Sequence, residues 1–238
     1  MLCFAKGVVG CSRRPCFITA PREVHRHAAY CEALDRLAAF TRTLKDKNDQ
    51  AIPIIFRPFH EHTGSWFWWG RDFCTAEDYI ALWRFTVEYL RDMRNVHQFL
   101  YAYSPDKVGS KEEYFERYPG DAYVDILALD NYLYGENPKE IEEMLVRLRL
   151  IVTEAETRNK VAALSETGLE KVIVADWFTR VILNPIKTDP VARKISYLLV
   201  WRNHSENHFF APYPGHSSTE DFLKFYRDSF TVFGEAVD

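Results

Sequence analysis

AIPIIFRPFHEHTGSWFWWG, residues 51–70, begins as a short apolar run and ends in a crowded mixture of charges and rings. Pro53 stands near the start of the apolar part, a position that a β-strand tolerates. Arg57, His60, Glu61 and His62 then lie directly against Trp66, Phe67, Trp68 and Trp69. Charge needs water or a partner, whereas indole needs burial or a flat ligand, so this density of both indicates a cleft more than a core. A strand that runs into a cleft is the unit from which the rest of the chain can be organised.

Outward from that stretch the same unit recurs. Upstream, YCEALDRLAAFTRTLKD from Tyr30 sets Leu34, Leu37, Ala38, Phe40 and Leu44 near one face at helical spacing. Downstream, Thr75 is an expected N-cap for the amphipathic segment AEDYIALWRFTVEYLRDM, and FLYAYSPD follows as a strand ending in polar residues. YVDILALDNY repeats that ending with Asp130, Asn131 and Tyr132. PKEIEEMLVRLRLIVTEAETRN then reads as a helix, and VAALSETG as a buried-type strand ending at Glu166. A helical region containing ADWFTRVILNPI, the strand ISYLLVWRN and a closing helix DFLKFYRDSFTVF complete the order.

Five strand-like runs alternating with helices, without a tight hairpin, predict parallel strands joined by crossover helices. In a (β/α) barrel the active site forms at the carboxyl ends of the strands, while a doubly wound sheet would usually carry a glycine-rich phosphate turn, which is absent here. The barrel is the better fit, although a closed one needs eight strands and about 250 residues. The region before Tyr30 is too short and irregular for three more β/α units, so the expectation is an open or amino-terminally truncated barrel.

Composition supports a single large domain. The chain has 238 residues, 47% of them hydrophobic and 15% aromatic, with a formal charge of −4. Acids and bases are interspersed and form no basic stripe, so nucleic acid is not expected as a partner. The five cysteines, Cys3, Cys11, Cys16, Cys31 and Cys74, describe neither a disulfide framework nor a zinc-like set of CxxC pairs. No apolar run reaches the length of a membrane span, and the first residues make no convincing signal peptide.

Glu61 ends the first run and Glu166 the fourth, so in a barrel both would project into one mouth. Two carboxyl groups about 5–5.5 Å apart suit glycoside hydrolysis by double displacement, in which one must be protonated and the other ionised. Partial desolvation beside His60 and the tryptophans would favour the acid form of Glu61, whereas Ser165, Thr167 and Gly168 give Glu166 room and hydrogen bonds as an anion. The bland alternative for either glutamate alone is a surface or ion-paired residue; finding two at strand ends beside aromatics argues against it.

IPIIFRPFHEHTGSWFWWG, YAYSPD, YPGDAYVDILALDNY, ALSETG and LLVWRN, in this order and spacing, closely resemble glycoside hydrolase family 26, whose best-known members are β-mannanases. The resemblance covers residues 30–233 and leaves 1–29 as a divergent, unmatched segment of the one catalytic domain, 1–238. It implies a retaining enzyme on a (β/α)8 TIM barrel, here carrying strands 4 to 8, with Glu61 as acid/base and Glu166 as nucleophile. It also implies that His60 and Trp66 line the cleavage subsite, that Tyr132 stands beside the nucleophile, and that Trp201 is a sugar-stacking platform. Arg57, Asp130 and Arg202 match polar neighbours that orient these groups. Two departures stand out: His62 replaces the methionine of many members, and the family's first three strands have no counterpart.

The expected substrate is therefore β-1,4-linked mannan, glucomannan or galactomannan, with no cofactor and no metal. Histidines two apart after a proline-containing strand do not present the HExxH face of a zinc site, and no GxSxG elbow marks a serine hydrolase. A related β-glucanase or β-xylanase, or a carbohydrate-binding fragment without turnover, are the alternatives. The resemblance implies a secreted, periplasmic or cell-surface monomer. Trp83 and Trp177 sit in helical periodicity and are expected in the core; His97, His204, His208 and His216 are expected in loops or satisfied contacts. NHSENHFFAPYPGHSS is expected as a long loop after the last strand, with Phe209, Phe210 and Tyr213 either contacting substrate or packing the loop, and KEEYFERYPGD as solvated surface.

Overall fold

A computed structural model describes residues 21–234, with side chains described from residue 26. Cys3, Cys11 and Cys16 lie outside the described residues, as does most of the unmatched segment. The described residues divide into two compact units, residues 21–105 with 110–125, and residues 106–109 with 126–234.

The first unit opens on helix α1, Pro21–Thr43, which begins nine residues before the expected Tyr30. Contacts that apolar periodicity cannot register hold this early part: the His27 ring lies 5.0 Å from Phe85, and the Tyr30 hydroxyl is 2.6 Å from that of Thr86. Leu34, Ala38 and Thr41 form the buried stripe, while Phe40, expected on that face, is exposed. Strand β1, Ile54–Phe56, pairs in parallel with β2, Phe99–Tyr103, matching Ile54 to Phe99 and Phe56 to Tyr101.

Helix α2, Ala76–Glu88, makes the crossover between them, and the Thr75 side chain caps it by accepting from the Asp78 amide. Its last turn widens into a π-helical segment, Tyr89–Met93. Trp83 is fully buried as expected, and its indole N–H donates to the Tyr123 carbonyl at 3.0 Å. KEEYFERYPGD departs from the solvated reading. It forms a short helix α3, Lys111–Phe115, that buries Tyr114, and the neighbouring Arg117 is buried too. The Tyr114 ring meets Tyr103 of β2 edge-on, and the Arg117 guanidinium lies over the Tyr79 ring and donates to the Cys74 carbonyl, contacts that local charge density concealed.

In the second unit β3, Ile126–Asp130, pairs in parallel with β4, Val161–Thr167, and β4 with β5, Tyr197–Val200. Every residue of β3 is buried, as a continuous apolar run in a parallel sheet should be. Helix α4, Pro138–Thr157, crosses over with Asn137 as its N-cap and lays Met144, Leu148, Ile151, Val152 and Ala155 into the core. The region around ADWFTRVILNPI is a π-helical segment, Trp177–Leu183, running into the short α5, Asn184–Thr188, and Trp177 is fully buried.

The closing helix α6, Thr219–Arg227, is shorter than expected. The Asp228 carboxylate ends it by accepting from the Phe230 amide and from Lys187 Nζ, at 2.8 Å each. Phe233, expected to continue the helix, instead turns back so that its ring lies 5.8 Å from Phe225.

Candidate active site

In the first unit the chemistry begins one residue past β1. The Arg57 guanidinium donates to the Ser104 hydroxyl at 3.0 Å, and the Glu61 amide donates to the Ser104 carbonyl at 2.8 Å, which ties the turn to the end of β2. Phe59 and Glu61 both hold left-handed backbone conformations, with φ of 49° and 53°. Such conformations cost on the order of 1 kcal/mol each for residues with a Cβ, and tertiary contacts must impose them. The buried Tyr79 hydroxyl supplies one such contact by donating to the Phe59 carbonyl at 3.0 Å, and the Trp69 indole supplies another at the His60 carbonyl, 2.8 Å away.

The side chains around Glu61 follow from that turn. Trp66 is exposed, yet its indole N–H donates to Glu61 Oε2 at 2.8 Å. The His60 ring lies 4.9 Å from Phe67, which stacks on Trp69 at 4.5 Å with an interplanar angle of 12°. Burial, assisted by the Arg57 charge, pushes the His60 imidazole down to about 3, so it is neutral across the ordinary working range. His62 is fully buried between Tyr79 and Tyr103, with ring centres 4.5 and 4.8 Å away. Neither of its nitrogens has a hydrogen-bond partner among the described residues, and burial first, then Arg117, hold it well below its usual value.

In the second unit Glu166 lies near the carboxyl end of β4 and opposite Asp130 in the β3 ladder, after a register shift between Leu129 and Asp130. Both carboxylates are buried. The Tyr132 hydroxyl donates to Glu166 Oε2 at 2.8 Å, and the Ser165 hydroxyl lies 2.7 Å from Asp130 Oδ1. The backbone locks the same group: the Asn131 amide donates to the Glu166 carbonyl at 2.9 Å, and the Thr167 hydroxyl to the Asn131 carbonyl at 2.9 Å. Trp201 follows β5, its amide donating to the Thr167 carbonyl at 3.0 Å, and the Arg202 guanidinium lies 5.6 Å from the Trp201 ring centre.

Arg57, His60, Glu61 and Trp66 therefore gather around one turn of the first unit, and Asp130, Tyr132, Glu166, Trp201 and Arg202 at the strand ends of the second. Ser104 was not singled out from sequence and Asn131 was named only as the end of an apolar run, without a role in the site. Arg147, on α4, donates to Asn131 Oδ1 at 3.0 Å and could not be associated with it by spacing. Phe209 and Phe210 are buried and Tyr213 is exposed. His208 pairs with Glu170 at 2.9 Å and His216 with the Ser218 hydroxyl at 2.9 Å, satisfied contacts of the expected kind.

Carboxyl groups at the ends of parallel strands, each accepting from one aromatic donor and accompanied by exposed indole, define the class of carbohydrate-directed β/α-barrel domains. The chain belongs to glycosyl hydrolase family 26, whose sequence profile matches residues 20–232. A mannan endo-1,4-beta-mannosidase of Bifidobacterium adolescentis is 41% identical over 141 residues, 57% of this chain and 14% of that protein. A Cellulomonas fimi endo-beta-1,4-mannanase structure superposes with a TM-score of 0.85 at 39% identity, covering 90% of this chain and 49% of that one. A Bacteroides ovatus family 26 β-mannanase gives 0.82 at 42% identity, covering 88% and 60%.

The chain thus spans about half the length of these solved structures and less of the curated relative. Its fold is α/β of the (β/α)8 TIM-barrel type, and its five described strands correspond to strands 4 to 8.

Proposed function

We propose that this chain carries the two catalytic carboxylates of a retaining hydrolase that cleaves β-1,4-mannosidic bonds in mannan, glucomannan or galactomannan. Glu61 serves as acid/base and Glu166 as nucleophile. The observation that carries this reading is an aromatic donor on each carboxyl group, Trp66 on Glu61 and Tyr132 on Glu166, each at 2.8 Å.

The two donors suit different tasks. An indole N–H can only donate, so its bond to Glu61 Oε2 makes that oxygen the acceptor and leaves the acid proton to Oε1. Tyr132 stabilises the Glu166 carboxylate and fixes its plane. Glu166 then attacks the anomeric carbon while the Glu61 proton passes to the glycosidic oxygen, whose bond to that carbon breaks. A water molecule, giving its proton to Glu61, displaces Glu166 from the glycosyl ester in the second step. Two inversions restore the starting configuration.

Neutral His60 adds no second positive charge beside the acid, and Trp201 offers a ring face to the C–H side of a pyranose with Arg202 at its edge. Asp130, bonded to Ser165, and Arg57, bonded to Ser104, hold the strand ends that present these groups. The name of the Bifidobacterium relative supports mannan as the polymer. The same reading takes residues 1–238 as one catalytic domain, acting outside the cytoplasm as a monomer without cofactor. Among the described residues no helix is long and apolar enough to cross a membrane.

The test is hydrolysis of a panel of mannans, glucans and xylans by the chain and by Glu166→Ala, with the product anomer followed by NMR. Retention of configuration on mannans, its loss in Glu166→Ala and recovery of turnover with azide are expected. Undiminished cleavage by that variant, or an inverted hydrolysis product from the chain with Glu166 intact, would remove the assignment.

A further inference from the structure

The loop after β5 folds back on itself around one side chain. Asn203 Oδ1 accepts from the amides of Phe210 and Ala211 at 3.0 and 2.9 Å, and Asn203 Nδ2 donates to the Ala211 carbonyl at 2.9 Å. A second tie comes from Lys171, whose amide donates to the Phe209 carbonyl at 2.8 Å. These bonds fix Phe210, which is buried, against two places that bear on Glu166. Its ring meets Tyr132 edge-on, with centres 5.9 Å apart and planes at 68°. It also fills the space beside Gly168, where an added Cβ would lie 2.5 Å from Phe210 Cδ1. Gly168, at φ 157°, is two residues past Glu166, and Tyr132 is the residue that donates to Glu166.

The geometry points to Asn203 and Phe210 as positioning residues for Glu166: the Asn203-closed loop wedges the Phe210 ring against Tyr132 and Gly168, holding the Tyr132 hydroxyl on the carboxylate. A phenol at the end of a freely rotating side chain would sample several orientations, and a charge-assisted hydrogen bond is lost steeply once its angle opens. The ring removes that freedom. This inference rests on Glu166 as nucleophile for its kinetic consequence, but the contact it explains is independent of that role.

The experiment is a double-mutant cycle with Tyr132→Phe and Phe210→Ala on the full chain, with Phe210→Leu and Asn203→Asp as conservative partners. Losing a hydrogen bond to a charged group is worth roughly tenfold to a hundredfold in kcat. Phe210→Ala should lower kcat within that range and leave KM within about twofold, while adding less than about twofold once Tyr132 is already phenylalanine. Asn203→Asp, which keeps the acceptor, should retain more activity than Asn203→Ala.

Additive losses, or an effect confined to KM, would overturn the inference. A crystal structure of Asn203→Ala tests the contact without turnover. Displacement of Phe210 with Tyr132 moved off Glu166 supports it, and a Tyr132 bond that persists beside a displaced Phe210 refutes it. If Glu166→Ala retains turnover the nucleophile reading fails by itself, which the structural result leaves untouched.

Discussion

Replacing His62 with methionine should stabilise the protein, and more strongly in acid. His62 is fully buried between two tyrosine rings, and neither nitrogen finds a partner among the described residues. A buried polar group left unbonded costs about 1–3 kcal/mol, and a thioether of similar size would recover that while keeping favourable contact with Tyr79 and Tyr103. The pH dependence adds a second contribution of known direction. Burial, then the Arg117 charge, hold the folded imidazole well below 6.5, whereas the unfolded chain protonates it near that value.

Between those limits the unfolded state binds the extra proton, so stability is complete above about pH 6.5 and is lost as pH falls. At pH 5, below the unfolded value, part of that stability is already gone. His62→Met abolishes this loss, and the similar contribution of His60 cancels because both proteins retain it. Denaturant unfolding followed by tryptophan fluorescence should therefore give a gain of about 1–3 kcal/mol at pH 8 and a larger gain at pH 5. A gain of equal size at both pH values would refute the buried neutral imidazole. A loss at both would mean that the nitrogens are satisfied.

Trp66→Phe removes the only donor atom of an exposed ring while keeping its stacking face, and steady-state kinetics should record about a tenfold fall in kcat with little change in KM. Ser165→Ala takes from the buried Asp130 carboxylate a hydroxyl 2.7 Å away, and equilibrium unfolding should register a loss of about 1–3 kcal/mol. Thr75→Ala deletes the cap on α2 and should cost about 1 kcal/mol in the same assay, with turnover unchanged.

The order of elements was legible along the chain because each element rests on local physics. Continuous apolar runs such as the one in VAALSETG and period-3.6 runs such as the one after Asn137 need no distant information, and the Thr75 cap is written in four consecutive residues. Ends and partners were not so legible. Helix α1 starts early because His27 and Tyr30 find Phe85 and Thr86, more than fifty residues on. Helix α6 stops because Asp228 is claimed by Lys187, and Tyr114 is buried within a charged stretch because Tyr103 of β2 offers it a ring to pack on.

The same division runs through the site. Composition and spacing put glutamates at strand ends, since a polar residue closing an apolar run has few other reasons to be there. Which donor each carboxylate receives, that neither His62 nitrogen meets a partner among the described residues, and that Asn203 reaches Phe210 to brace Tyr132 all depend on side chains converging from separate elements. A one-dimensional pattern records the character of each residue, but hydrogen bonds and exclusion of water act over a few ångströms in space, and folding alone brings those groups within that range.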